Sequence, residues 1–79
     1  MKVTITLRGT LRKYFGDDTE RVYDVPEGCT CDEALKIAGL DYRNINNFGF
    51  VSVNNKRVVI SDTLNEGDLL KAFSKVSGG

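Results

Sequence analysis

Only one stretch of the chain carries the period of a helix. In TCDEALKIAGL (residues 30–40), Cys31, Ala34, Leu35 and Ala38 recur at three- and four-residue spacing, the stripe of a helix with one inward face. Thr30 followed three residues later by Glu33 forms a capping-box pattern at its start, and Gly39 is a natural stop. That gives one helix of about three turns. The remaining apolar segments alternate or are too short to be helices. A chain with one helix and several strands must lay that helix across one face of a sheet, so the pattern predicts an α+β roll with a mixed sheet.

The strands follow from period-two alternation. From Lys2 to Arg8, Val3, Ile5 and Leu7 point one way while Lys2, Thr4, Thr6 and Arg8 point the other. TLRKYFG then brings Leu11, Tyr14 and Phe15 onto one face of a single turn closed by Gly16. Glu20 to Val25 reads as a second strand, with Tyr23 and Val25 inward, ended by Pro26, which has no N–H to donate. DYRNINN carries no period. In Phe48 to Val53, Val51 and Val53 share one face and Phe48, Phe50 and Ser52 the other. Asn54-Asn55 suits a tight hairpin, because asparagine tolerates positive φ. Arg57 to Ile60 is the return strand, Leu64 tucks under the sheet, and Leu69 to Val76 is the last strand. Residues 1–76 are expected as one domain and 77–79 as a flexible tail.

Composition excludes several kinds of function. Seventy-nine residues leave room for one core. Eleven basic and eleven acidic residues cancel, which disfavours a nucleic-acid surface built on summed phosphate contacts. No apolar run approaches the roughly 20 residues of a membrane span, and MKVTITLRG lacks a signal-peptide core, so a cytoplasmic protein is expected. Without histidine there is no imidazole base and no Ser-His or Cys-His nucleophile. Two cysteines cannot complete a four-thiolate metal site, and no metal site is expected. No phosphate-binding glycine motif occurs.

Four features invite a functional reading beside a plain one. Gly78-Gly79 is either a frayed end or an unhindered carboxylate that a partner can thread through a narrow channel. Phe48, Phe50 and Phe73, with Lys71 and Lys75 on the outer face, are either a docking surface or rings covered by lysine stems or displaced by a bulge. Cys29 and Cys31 are either a redox or metal pair or core filler, with Cys31 on the buried stripe and Cys29 partly exposed. The acidic residues Asp17, Asp18, Glu20, Asp62, Glu66 and Asp68 lack the spacing of a calcium loop and read as solvated turn residues.

Taken in order, ITLRGTLRKYFG, VPEGCTCDEALKIAGL and FVSVNNKRV…DTLNEGDLLKAFSKVSGG resemble the small ubiquitin-like sulfur carriers over the whole chain. That family includes the small subunit of molybdopterin synthase and the thiamine-pathway carrier, and Val76-Ser77-Gly78-Gly79 leans toward the molybdopterin branch. Asn55 stands where the family often has glycine, and Ser74-Lys75 where a close molybdopterin-branch match has prolines. The resemblance implies a ubiquitin-like β-grasp of about five strands and one main helix, with the last strand central and paired to the first. It implies a carrier rather than an enzyme, binding no cofactor itself. An adenylating partner of the ubiquitin-activating type would use ATP to form an acyl-adenylate on Gly79, and a sulfur donor would leave a thiocarboxylate. A synthase subunit would then accept the sulfur. Gly78 and Gly79 carry the chemistry; Phe73, Phe50, Phe48, Lys71, Lys75, Val76 and Ser77 would meet the partner. Two alternatives stay open: a modifier joined to lysines through Gly79, and a passive β-grasp interaction module.

Overall fold

A computed structural model describes residues 1–75. Five strands, β1 (Lys2–Arg8), β2 (Glu20–Asp24), β3 (Phe48–Val53), β4 (Lys56–Val58) and β5 (Leu69–Ser74), form one sheet in the order β2-β1-β5-β3-β4. The first and last strands are parallel at the centre, and the other neighbours are antiparallel. One α-helix, α1 (Cys31–Ile37), lies among the buried residues of one face. This is the β-grasp arrangement expected from the sequence.

The alternation of β1 survives in the fold: Val3, Ile5 and Leu7 are buried, and so are Leu70 and Ala72 of β5 and Val51 of β3. Cys31, Ala34 and Leu35 of α1 close over them, with Leu11 and Phe15 from a 3-10 turn at Gly9–Phe15. Tyr14, expected inward, is 40% exposed.

The helix begins as read. Glu33 N–H donates to Thr30 Oγ1, and Thr30 N–H donates to the Glu33 carboxylate, so both halves of the capping box are present. It ends after seven residues, shorter than three turns. Gly39, at φ +95°, allows Leu40 N–H to reach back to the Leu35 carbonyl (2.8 Å) and Gly39 N–H to reach Lys36 (3.0 Å). These paired bonds close the helix and deliver Leu40 into the core.

The return strand is shorter than expected. Val59 and Ile60 leave the sheet because the chain turns under α1, where the carbonyls of Ile60 and Asp62 accept from the first N–H groups of the helix, Asp32 and Cys31, at 2.9 Å each. The last strand stops at Ser74. The expected continuation through Val76 and the tail, Ser77, Gly78 and Gly79, lies outside the described residues.

Candidate functional site: the open sheet face

The face of the sheet opposite α1 is read from register. Phe50 pairs with Phe73, Ser52 with Lys71, and Lys71 in turn with Thr6 of β1. Phe50 and Phe73 are half-buried and stacked, with centroids 4.5 Å apart and planes 10° from parallel. The Arg57 guanidinium sits 4.5 Å above the Phe50 ring. Lys71 Nζ donates to Asn55 Oδ1 at 2.9 Å, which holds this ammonium beside the aromatic pair. The result is a small aromatic platform edged by cations, the composition of an interface centre rather than of a reaction site.

Structure and sequence part company at Phe48. The register slips between Phe48 and Phe50, so Phe48 pairs with Ser74 while Phe50 pairs with Phe73. The slip absorbs Gly49 as an extra residue and turns Phe48 to the other side of the sheet. There it packs against the buried core, its ring 5.8 Å from that of Tyr42. Phe48 therefore does not share the open face with Phe50 and Phe73. Lys75 follows the end of β5 and helps line a cleft of about 440 Å³ with Phe48, Phe50, Tyr42 and Ile60. Of the residues expected to meet a partner, the structure brings Phe50, Phe73 and Lys71 onto one face; Val76 and Ser77, like Gly78 and Gly79, lie outside the described residues.

Sequence reading missed Arg57 and Asn55. A signal for Arg57 existed. A two-residue turn at Asn54-Asn55 forces Ser52 opposite Arg57 and so puts Arg57 on the Phe50 face. Asn54 and Asn55 do adopt positive φ, +52° and +70°.

Both cysteines are buried free thiols, so Cys29 is less accessible than expected. Cys29 Sγ donates to the Thr30 carbonyl at 3.4 Å. Burial raises the Cys29 thiol, and burial, with nearby Asp62 adding to it, pushes Cys31 up to about 11 from 9.0. A native Cys31 keeps its proton where the unfolded chain has lost it, so the unfolded state binds fewer protons and stability falls as pH rises from 9.0 to about 11. Cys31→Ala is expected to flatten that part of a stability-versus-pH curve measured by urea unfolding. At pH 7 a thiol-alkylating reagent should label neither cysteine in the native protein and both in denaturant. Among the described residues no group of metal-ligating side chains occurs, and no helix is long and apolar enough to cross a membrane.

Sheet order and the single α-helix packed on one face together define a ubiquitin-like β-grasp domain. Comparison with solved structures agrees. The chain is similar to SAMP1 from Haloferax volcanii, with a TM-score of 0.79 and 23% identity over 100% of both chains. It is similar to a putative molybdopterin converting factor subunit 1 from Pyrococcus furiosus, with a TM-score of 0.74 and 20% identity over 96% of this chain and 99% of the other. A complex of subunits 1 and 2 of the molybdopterin-converting factor from Helicobacter pylori contains a further match, with a TM-score of 0.65 and 14% identity over 100% of both chains. No family model matches, and no curated protein matches. At these identities the likeness is one of fold.

Proposed function

We propose that this protein is a sulfur carrier, and that it serves the assembly of a molybdopterin- or tungstopterin-type cofactor. The observation that carries the reading is the β-grasp match, over 96% and 100% of the chain, to structures described as molybdopterin-converting factor subunits, in a sequence that places Gly78 and Gly79 a few residues past the central strand. In this reading the chain binds no cofactor and performs no chemistry alone. It offers Phe50, Phe73 and Lys71 as a docking face and Gly79 as the reacting group, with Gly78 leaving the approach free of side chains. Lys75, Val76 and Ser77, which lie between β5 and Gly78 in sequence, would also meet the partner.

A carboxylate is a poor acyl donor at neutral pH, so activation comes first. The Gly79 carboxylate oxygen attacks the α-phosphate of ATP on an adenylating partner, releasing pyrophosphate and leaving an acyl-adenylate. A persulfide or sulfide sulfur then attacks the acyl carbon and AMP departs. With a persulfide donor, the remaining sulfur–sulfur bond is cleaved by a thiol, which leaves the thiocarboxylate and a disulfide. A synthase subunit receives the tail and the sulfur passes to its acceptor.

Incubating the protein with ATP, the adenylating enzyme from the same genome and a sulfur donor should raise its intact mass by one sulfur-for-oxygen exchange. No shift with any such enzyme would sink the reading. Phe73→Ala should weaken binding to that enzyme by roughly 30-fold, the cost of a central aromatic anchor of about 2 kcal/mol. Calorimetric titration would measure it. The fold should lose only about 1 kcal/mol, since the ring is half-buried and its main partner is Phe50.

A further inference from the structure

At its last residue, β5 runs between two glycines. Gly9, at φ +64°, stands on one side, where a Cβ would run into Ser74 Oγ. Gly49 stands on the other, where a Cβ would lie 2.9 Å from the Phe73 carbonyl oxygen and from the Ser74 carbonyl carbon and oxygen. At Gly49 no side chain fits without moving the strand, and at Gly9 one would have to push the Ser74 hydroxyl aside and hold a positive φ. Into this slot three hydrogen bonds converge from segments far apart in sequence. Thr10 N–H donates to Ser74 Oγ at 3.1 Å. Asn47 Nδ2 donates to Thr10 Oγ1. Lys75 N–H donates to the Asn47 carbonyl at 2.7 Å. The bonds form a ring that leaves residue 74 and returns at residue 75.

The register slip in β3 completes it. Upstream of Gly49 the register pairs Phe48 with Ser74, which sets Asn47 opposite Lys75. Without the slip, Phe48 would stand there, and its carbonyl would lack the neighbouring amide that reaches Thr10. The extra residue thus does two things: it turns Phe48 into the core and brings Asn47 to the strand end.

Stability does not account for this arrangement. The two side-chain bonds are exposed, and such bonds contribute about 1 kcal/mol each at most. The two glycines are steric requirements of the slot, one for its positive φ and one for the close approach of the β5 backbone. What the ring does fix is where the chain leaves the sheet and in which direction. We infer that Gly9, Thr10, Asn47, Gly49 and Ser74 form a clasp that positions the carboxy-terminal segment for its partner, an inference that rests on the carrier reading above. Gly79 follows the held Lys75 by four residues in sequence, and four residues reach at most about 14 Å. If the clasp opens, that stretch lengthens from its root. The local concentration of the carboxylate at a partner's site then falls roughly as the −3/2 power of its length, and its direction is lost as well. Docking through Phe50 and Phe73 is untouched, so the clasp acts on turnover and not on recognition.

The test uses the full chain carrying Ser74→Ala, and separately Asn47→Ala, with the cognate adenylating enzyme. For each, kcat for tail adenylation should fall about threefold to tenfold, with KM nearly unchanged and the melting temperature lowered by no more than about 5 °C. Amide hydrogen exchange supplies a second readout, independent of any enzyme. Lys75 should be protected in the wild type and at least tenfold less so in the variants, with Ile5 and Leu70 unaffected. Wild-type protein that shows no protection at Lys75 overturns the clasp, as does a variant that loses protection yet keeps its kcat. Wild-type protein protected at Lys75 but adenylated by no enzyme overturns the carrier reading instead.

Discussion

A chain lacking Gly78 and Gly79 should fold as the full chain does and carry no sulfur. Every buried apolar residue of the described structure lies between Val3 and Ala72, so the truncation removes none of the core, and Tm should move by less than about 2 °C. The shortened chain still ends in a carboxylate, on Ser77, so the chemistry is not deleted in principle. What changes is geometry. The reacting group retreats by about 7 Å, and side chains now occupy the last positions, where glycine left the approach free. Misplacement of a reacting group by as little as about 1 Å can cost a hundredfold in rate, so adenylation should drop below detection. Intact mass after incubation with ATP, enzyme and sulfur donor, beside a thermal melt, reads both halves. Loading of the truncated chain at the wild-type rate would remove Gly79 from the mechanism.

The parts of the fold legible in the sequence are those decided by local pattern. The alternation of residues 2–8, the capping box at Thr30 and Glu33, the stop at Gly39 and the asparagine hairpin each depend on neighbours a few positions away. The parts that were not legible depend on distant partners. Phe48 reads as outward by alternation from Val51, and only the pairing with β5, whose backbone leaves no space for a side chain at Gly49, sets the bulge that turns it inward. The return strand looks four residues long until the need to cap α1 draws Ile60 away. The open sheet face was half visible: Phe50, Phe73 and Lys71 from alternation, but not the Arg57 that covers Phe50 or the Asn55 that holds Lys71.

Asp68 is the plainest case of a distant partner overriding a local reading, and its replacement should be the most destabilising polar change. In sequence it looks like one more acidic residue in a turn. In the fold it is 8% exposed and ties three segments together. Its Oδ1 accepts from Asn54 Nδ2 at 2.9 Å, and its Oδ2 accepts from Asn65 N–H at 2.8 Å. Its own carbonyl accepts from Thr4 N–H at 3.0 Å, while Asn54 Oδ1 receives Leu69 N–H. The carboxylate therefore fixes the point at which β5 enters between β1 and β3, and so the register that sets Lys71 and Phe73 on the open face. Asp68→Ala removes both charge-assisted bonds and leaves the Asn54 amide and the Asn65 N–H without their acceptor. The expected loss is about 3 kcal/mol, or on the order of 15 °C in Tm for a domain of this size. Asp68→Asn keeps one acceptor oxygen, so it should fall between the two. Asp62→Ala, at an exposed position in the same loop, should stay within about 0.5 kcal/mol of wild type. Equal melting temperatures for Asp68→Ala and Asp62→Ala would return Asp68 to the solvated turn residue its sequence suggests, and the register of β5 would then need another anchor.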